Sequence, residues 1–156
     1  MENFYVNEFI GYIRYCNPKF YEEFVLSFEN IESFKVSINL VIKPEDYEYH
    51  YPGCEDDYKY DYYNMVKDLG FHYGIYKNEE ELYKDIEEGE KNAKKFDKFT
   101  EYLKEILPDF FEKLSEQGLT NEEMFDTTYE IARKCNFEKG ALNVLARLWI
   151  ASGYFD

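Results

Sequence analysis

Apolar residues recur along this chain in two rhythms. Val6, Phe9, Ile10 and Ile13 are spaced as on one face of a helix, which predicts a helix over residues 3–16. Asn17 followed by Pro18 reads as an N-cap and a first helical position. A second helix is expected from there to about Asn30, with Phe20, Phe24 and Phe28 on one face. Residues 33–42 then switch to a period of two. Phe34, Val36, Ile38, Leu40 and Ile42 alternate with Lys35, Ser37 and Asn39, which predicts a strand that Pro44 ends.

Residues 45–63 alternate differently. Tyr47, Tyr49 and Tyr51 form one series and Tyr58, Tyr60 and Tyr62 another, with Pro52-Gly53 as a turn between them. A hairpin with one tyrosine face and one acidic face fits this spacing, and an irregular acidic loop competes with it. A short helix over 64–69, closed by Gly70, and a strand over 71–76 follow.

From residue 79 the helical rhythm returns. Leu82, Ile86, Gly89, Ala93, Phe96, Phe99, Leu103, Ile106, Phe110 and Leu114 sit three or four apart through residue 116. Asn78 can cap the start, and Pro108 predicts a break near Leu107. Gly118 ends the pattern. Thr120-Asn121-Glu122-Glu123 has the form of a capping box, opening a helix to about Lys134 with Met124, Thr128, Ile131 and Cys135 inward. A last helix from about Glu138 to Ser152 would turn Leu142, Leu145, Leu148 and Trp149 inward, with Gly153 as its stop. The expected fold class is α+β and predominantly helical. About five helices would pack on a small antiparallel sheet drawn from residues 33–76, in one domain spanning 1–156.

Composition changes the picture in two ways. Hydrophobic residues make up 45% of the chain, enough to exclude a disordered acidic tail. Residues with AT-rich codons (Phe, Tyr, Met, Ile, Asn, Lys) number 70, against 20 with GC-rich codons (Gly, Ala, Arg, Pro). That skew points to a low-GC bacterium or its mobile elements and discounts the raw counts of Tyr, Phe and Lys. Three widely spaced cysteines, Cys16, Cys54 and Cys135, do not form a disulfide framework. The first residues lack a signal-peptide pattern and no apolar run reaches membrane-span length. A reducing cytoplasm is the expected location.

Charge changes it more. Thirty-three acids face 18 bases, for a net charge of −15. In residues 45–63 seven acids face Lys59 alone, and in residues 79–93 seven acids face Lys84 and Lys91. Clustering of this kind costs stability through self-repulsion, whereas scattered acids would serve solubility equally well. It suggests a positive, concentrated target, such as a protein surface built to hold nucleic-acid phosphates. A helical row of carboxylates repeats at about 5.4 Å per turn, of the same order as the roughly 3.4 Å between duplex phosphates. Tyrosines add rigid contact area at low entropic cost. Against this, acids in a first helical turn complement the helix dipole without any partner, and charged runs usually form solvated faces.

The candidate partner-binding residues are Glu45, Asp46, Tyr47, Glu48, Tyr49, Glu55, Asp56, Asp57, Tyr58, Tyr60 and Asp61, together with Glu80, Glu87 and Glu90. Catalytic signatures are weak. His50 and Cys54 are two soft ligands without zinc-site spacing, and the acids of 55–61 do not follow a calcium loop. His72 reads as a structural histidine. No glycine-rich phosphate loop exists, and three arginines speak against a nucleic-acid substrate. The expected function is non-enzymatic and cofactor-free: an inhibitor that occupies a basic surface of a nucleic-acid-processing enzyme. By analogy of class it is of the anti-CRISPR or anti-restriction type, with no direct nucleic acid or membrane partner. The alternatives are an immunity protein for a cognate toxin such as a nuclease, and a small metal-dependent regulator or enzyme using His50 and Cys54.

Overall fold

The computed structural model describes residues 4–49, 52–53 and 59–153. Eight α-helices are present among them: α1 (Val6–Cys16), α2 (Pro18–Glu23), α3 (Ile31–Asn39), α4 (Tyr62–His72), α5 (Glu79–Ile106), α6 (Phe110–Glu116), α7 (Asn121–Lys134) and α8 (Lys139–Ala151). The fold is therefore α+β and mostly helical, with more helices than the five expected. Among the described residues the sheet is smaller than expected: β1 (Glu48–Tyr49) pairs antiparallel with β2 (Lys59–Tyr60), Glu48 opposite Tyr60 and Tyr49 opposite Lys59. The chain forms two compact units, Met1–Glu90 and Lys91–Asp156.

The strand expected over 33–42 is helix α3. Its alternating apolar residues also contain a step of four, Phe34 to Ile38, and those two side chains are buried. Val36 and Leu40 belong to the same alternation, yet Leu40 is 78% exposed. A local cap decides between the rhythms: the Asn30 side chain accepts from Ser33 N–H at 2.8 Å and starts the helix. The strand expected over 71–76 is likewise absent. Helix α4 runs on to His72, so that histidine closes a helix. Gly74, at φ +73°, makes the turn there, and Ile75 N–H reaches back to Gly70 O at 2.8 Å.

Gly70 lies inside α4 instead of ending it. A Cβ at that position would meet the Tyr76 ring at 2.3 Å, so the glycine allows the turn to fold back on the helix. Pro18 opens α2 as expected, but the helix ends at Glu23 and a 3₁₀ turn, Val25–Ser27, follows. The Phe20, Phe24 and Phe28 series survives this break, with ring centroids 5.0 and 5.1 Å apart. These rings join Phe9, Ile13, Phe34, Ile38, Met65 and Leu69 in the core of the first unit.

In the second unit, the break at Pro108 separates α5 from α6, with Leu107 buried. The capping box forms in both directions: Glu123 N–H to the Thr120 hydroxyl and Thr120 N–H to the Glu123 carboxylate, each 3.1 Å. Phe96 and Tyr129 pack edge to face at 5.1 Å, and Phe110 stacks on Trp149 at 6.3 Å. Leu142 and Ala146 turn inward from α8. Leu148 does not: it is 62% exposed, because four residues on from the outward Val144 it shares that face.

Candidate partner-binding surface

The surface belongs to the first unit. A 3₁₀ turn, Pro44–Tyr47, leads into β1, and β2 leads into α4. Asp61 N–H donates to Tyr47 O at 2.9 Å and closes the pair of strands at their base. The Asp61 carboxylate caps α4, accepting from Asn64 N–H at 3.2 Å. One turn further on, Asp68 accepts a hydrogen bond from the Tyr47 hydroxyl. From α1, Glu8 lies 3.5 Å from the Tyr62 hydroxyl.

Two adjoining concavities result. One, of about 480 Å³, is lined by Asp46, Glu48, Asp61 and Asp68 with Tyr47 and Tyr49. The other, of about 660 Å³, has Glu8, Asp61 and Lys59 among its walls, and five tyrosines supply the rest. Tyr49 and Asp61 line both. The tyrosine wall is packed: Tyr60 and Tyr62 lie nearly parallel at 6.3 Å, and Tyr12 leans on Tyr62 at 5.3 Å. Burial, with Cys16 and Asp61 nearby, pushes the Tyr12 hydroxyl up to about 12. Burial and Glu8 push Tyr62 to about 12 as well. Tyr47 is raised by burial and by its bond to Asp68. These rings therefore stay neutral, and the negative charge of the site resides in carboxylates.

No protein-family model matches this chain, and no curated protein or solved structure matches it either.

The candidate residues fall into distinct positions. Asp46, Tyr47, Glu48, Tyr49, Tyr60 and Asp61 line the concavities, while Glu45 is exposed on the adjoining turn. Glu55, Asp56, Asp57 and Tyr58 lie outside the described residues, as do His50 and Cys54. Among the described residues no group of three or more His, Cys, Asp or Glu is placed to hold a metal ion. Glu80, Glu87 and Glu90 are exposed on α5 and line neither concavity. Two neighbouring acids of that helix have lysine partners: Glu80 lies 3.6 Å from Lys84, and Glu79 lies 2.8 Å from Lys67.

One acid of the second cluster is buried. Asp85 is 4% exposed and accepts from Lys19 N–H at 2.7 Å, from Phe20 N–H at 3.2 Å and from the Tyr76 hydroxyl. It satisfies the first turn of α2, a task the Asn17 side chain leaves undone. Asn17 instead donates to the Tyr76 hydroxyl at 3.3 Å.

Glu8, Tyr12, Tyr62, Tyr63 and Asp68 line the concavities and were not among the candidates. Glu8 and Tyr12 are four apart on α1, a visible spacing that carried no acidic excess. The alternation of Tyr62 with Tyr58 and Tyr60 fits a hairpin strand or an acidic loop, but Tyr62 opens α4.

Proposed function

We propose that this protein is a non-catalytic inhibitor whose acidic, tyrosine-lined concavities engage a basic surface of a nucleic-acid-handling enzyme. The reading resembles anti-CRISPR and anti-restriction inhibition in kind. One observation supports it above the others: five carboxylates from three parts of the first unit (Glu8, Asp46, Glu48, Asp61 and Asp68) converge there beside a single lysine, Lys59. Exposed and half-buried ring faces beside carboxylates suit arginine and lysine side chains, which gain both ion pairing and cation–π contact. The Glu80, Glu87 and Glu90 row is a weaker part of the reading, because neighbouring acids on α5 already have lysines beside them.

The test uses Glu45→Lys, Asp46→Lys and Glu48→Lys together. These positions spare the Asp61 cap and the Asp85 bonds, so the fold is retained. Wild-type protein is assayed against purified restriction, CRISPR and toxin nucleases for loss of DNA binding by the target. The triple variant should inhibit at least tenfold more weakly, and wild-type association should slow as salt screens charges beyond about 10 Å at 0.1 M. Equal inhibition by the variant, or association indifferent to salt, would sink the proposal. A toxin nuclease as sole target would make the protein an immunity factor acting through the same surface.

A further inference from the structure

We infer that the larger, tyrosine-lined concavity is a subsite for an arginine side chain of the partner protein and discriminates against lysine. The inference rests on the reading above, that this surface takes a basic protein, and adds which cation enters which concavity. The two concavities differ in kind. The smaller has four carboxylates, Asp46, Glu48, Asp61 and Asp68, and among the described residues no base lines it. The larger sets two carboxylates, Glu8 and Asp61, against Lys59, so little net charge remains. Its walls are rings instead: Tyr12, Tyr49, Tyr60, Tyr62 and Tyr63.

Charge density and ring area select different cations. An ammonium is compact and strongly hydrated, so it gives up water only where negative charge is concentrated. A guanidinium is planar, more weakly hydrated and stacks on aromatic faces, with five N–H donors left for carboxylates. The smaller concavity suits either cation, whereas the larger suits a guanidinium. Its rings are held from behind: Phe4 meets Tyr60 edge to face at 5.3 Å, and Phe9 backs Tyr62 at 5.3 Å. Tyr60 and Tyr62 lie within 14° of parallel, and rings so packed have little side-chain freedom left to lose when a flat cation settles on them. Glu8 stands at this wall, 3.5 Å from the Tyr62 hydroxyl, and Asp61 lines both concavities, so a guanidinium on the rings finds carboxylate acceptors in the same lining. Lys59 opposes any cation there, and ring contact offsets that cost for arginine more than for lysine.

Two capped tripeptides test this, arginine–glycine–arginine and lysine–glycine–lysine, each titrated into the isotope-labelled full chain and followed by NMR. The arginine peptide should bind with a Kd on the order of 1 mM, about five- to tenfold tighter than the lysine peptide. Tyr49→Leu with Tyr60→Leu keeps apolar volume and removes two ring faces; it should bring the ratio below about two, with the lysine peptide binding as before. Glu8 is exposed and lines the larger concavity alone, so Glu8→Gln leaves the packing intact and should weaken the arginine peptide about threefold and the lysine peptide less. The Glu45, Asp46 and Glu48 reversal should weaken both peptides alike and leave the ratio standing. Equal affinities, a preference that survives both the tyrosine pair and Glu8→Gln, or no binding of either peptide up to about 20 mM would overturn the arginine subsite. Equal affinities that both fall on the triple reversal would leave the inhibitor reading in place, whereas binding indifferent to that reversal would count against the acidic surface itself.

Discussion

Replacing Asp85 by alanine strands three hydrogen-bond donors at once. Two are backbone N–H groups in the first turn of α2, Lys19 and Phe20, and the third is the hydroxyl of Tyr76, itself 1% exposed. An unsatisfied buried donor costs about 1–3 kcal/mol. The Lys19 site is partly open to water, so the gross loss is roughly 5 kcal/mol. Removing a buried carboxylate also removes its desolvation penalty, which returns on the order of 1–2 kcal/mol. The net expectation is a loss of about 3–4 kcal/mol, a large part of the roughly 5–15 kcal/mol that holds a domain folded. For a chain of this size that lowers the melting temperature by roughly 10 °C. Scanning calorimetry reads it directly. Asp85→Asn should lose about half as much, since its amide keeps one acceptor and turns a second donor towards the others.

The same pair of proteins has a pH signature. Burial raises the Asp85 pKa above the usual aspartate value, and the bonds from Tyr76, Lys19 and Phe20 oppose that rise without cancelling it. A carboxyl whose folded pKa is raised contributes most below its unfolded pKa, and the contribution falls as pH climbs through the folded one. The stability gap between wild type and Asp85→Asn should therefore be widest at acidic pH and narrow through the region just above ordinary aspartate titration. The variant shares every other carboxylate, so subtracting the two curves removes the general effect of the net charge. An alanine variant melting within about 2 °C of wild type would refute the reasoning, and so would a gap that widens with rising pH.

Two further outcomes follow from the same unit. Gly70→Ala should cost roughly 2–3 kcal/mol, because its Cβ would stand 2.3 Å from the Tyr76 ring, whereas Gly74→Ala pays only the positive-φ strain, about 1 kcal/mol, in urea unfolding. Spectrophotometric titration should show Tyr12 and Tyr62 ionising near 12, after the ordinary phenols, and Glu8→Gln should bring Tyr62 down while leaving Tyr12 in place.

What the linear pattern revealed depended on how far apart the deciding groups lie. The capping box at Thr120, the break at Pro108 and the Asn78 cap, which accepts from Glu81 N–H at 3.0 Å, are local, and each has one physical solution. Residues 33–42 have two. Phe34 and Ile38 satisfy a strand by alternation and a helix by a step of four, and the Asn30 cap three residues upstream settles the matter. Gly70 resembles a helix stop because glycine serves both stops and close approaches, and only the Tyr76 ring distinguishes them. Asp85 was beyond local reading. It serves backbone groups 65 and 66 residues away, and it stands in a run whose other acids, such as Glu87 and Glu88, are exposed. The concavities were half legible: the tyrosine–acid run of 45–63 marked their rim, while Glu8, Tyr12 and Asp68 come from helices with no unusual charge.

The acids of the first unit divide by what already answers them, and this division narrows the proposed interface. Asp85 is consumed by the fold, and Asp61 partly so, as the cap of α4. Glu79 and Glu80 sit beside Lys67 and Lys84 at the start of α5, where the helix dipole favours them with or without a partner. Exposed surface pairs of this kind contribute little to stability, and they blunt the field that a distant cation would feel. Glu45 and Asp46 stand elsewhere in the unit. They lie on a four-residue 3₁₀ turn, too short for its dipole to favour charge strongly, and Asp46 lines one concavity together with Glu48, Asp61 and Asp68. Repulsion among groups so placed favours a cation that enters between them, and the neutral tyrosines beside them give its side chain a surface to lie on. Electrostatic capture should therefore act through the 44–49 segment far more than through α5, although the two stretches look equally acidic along the chain.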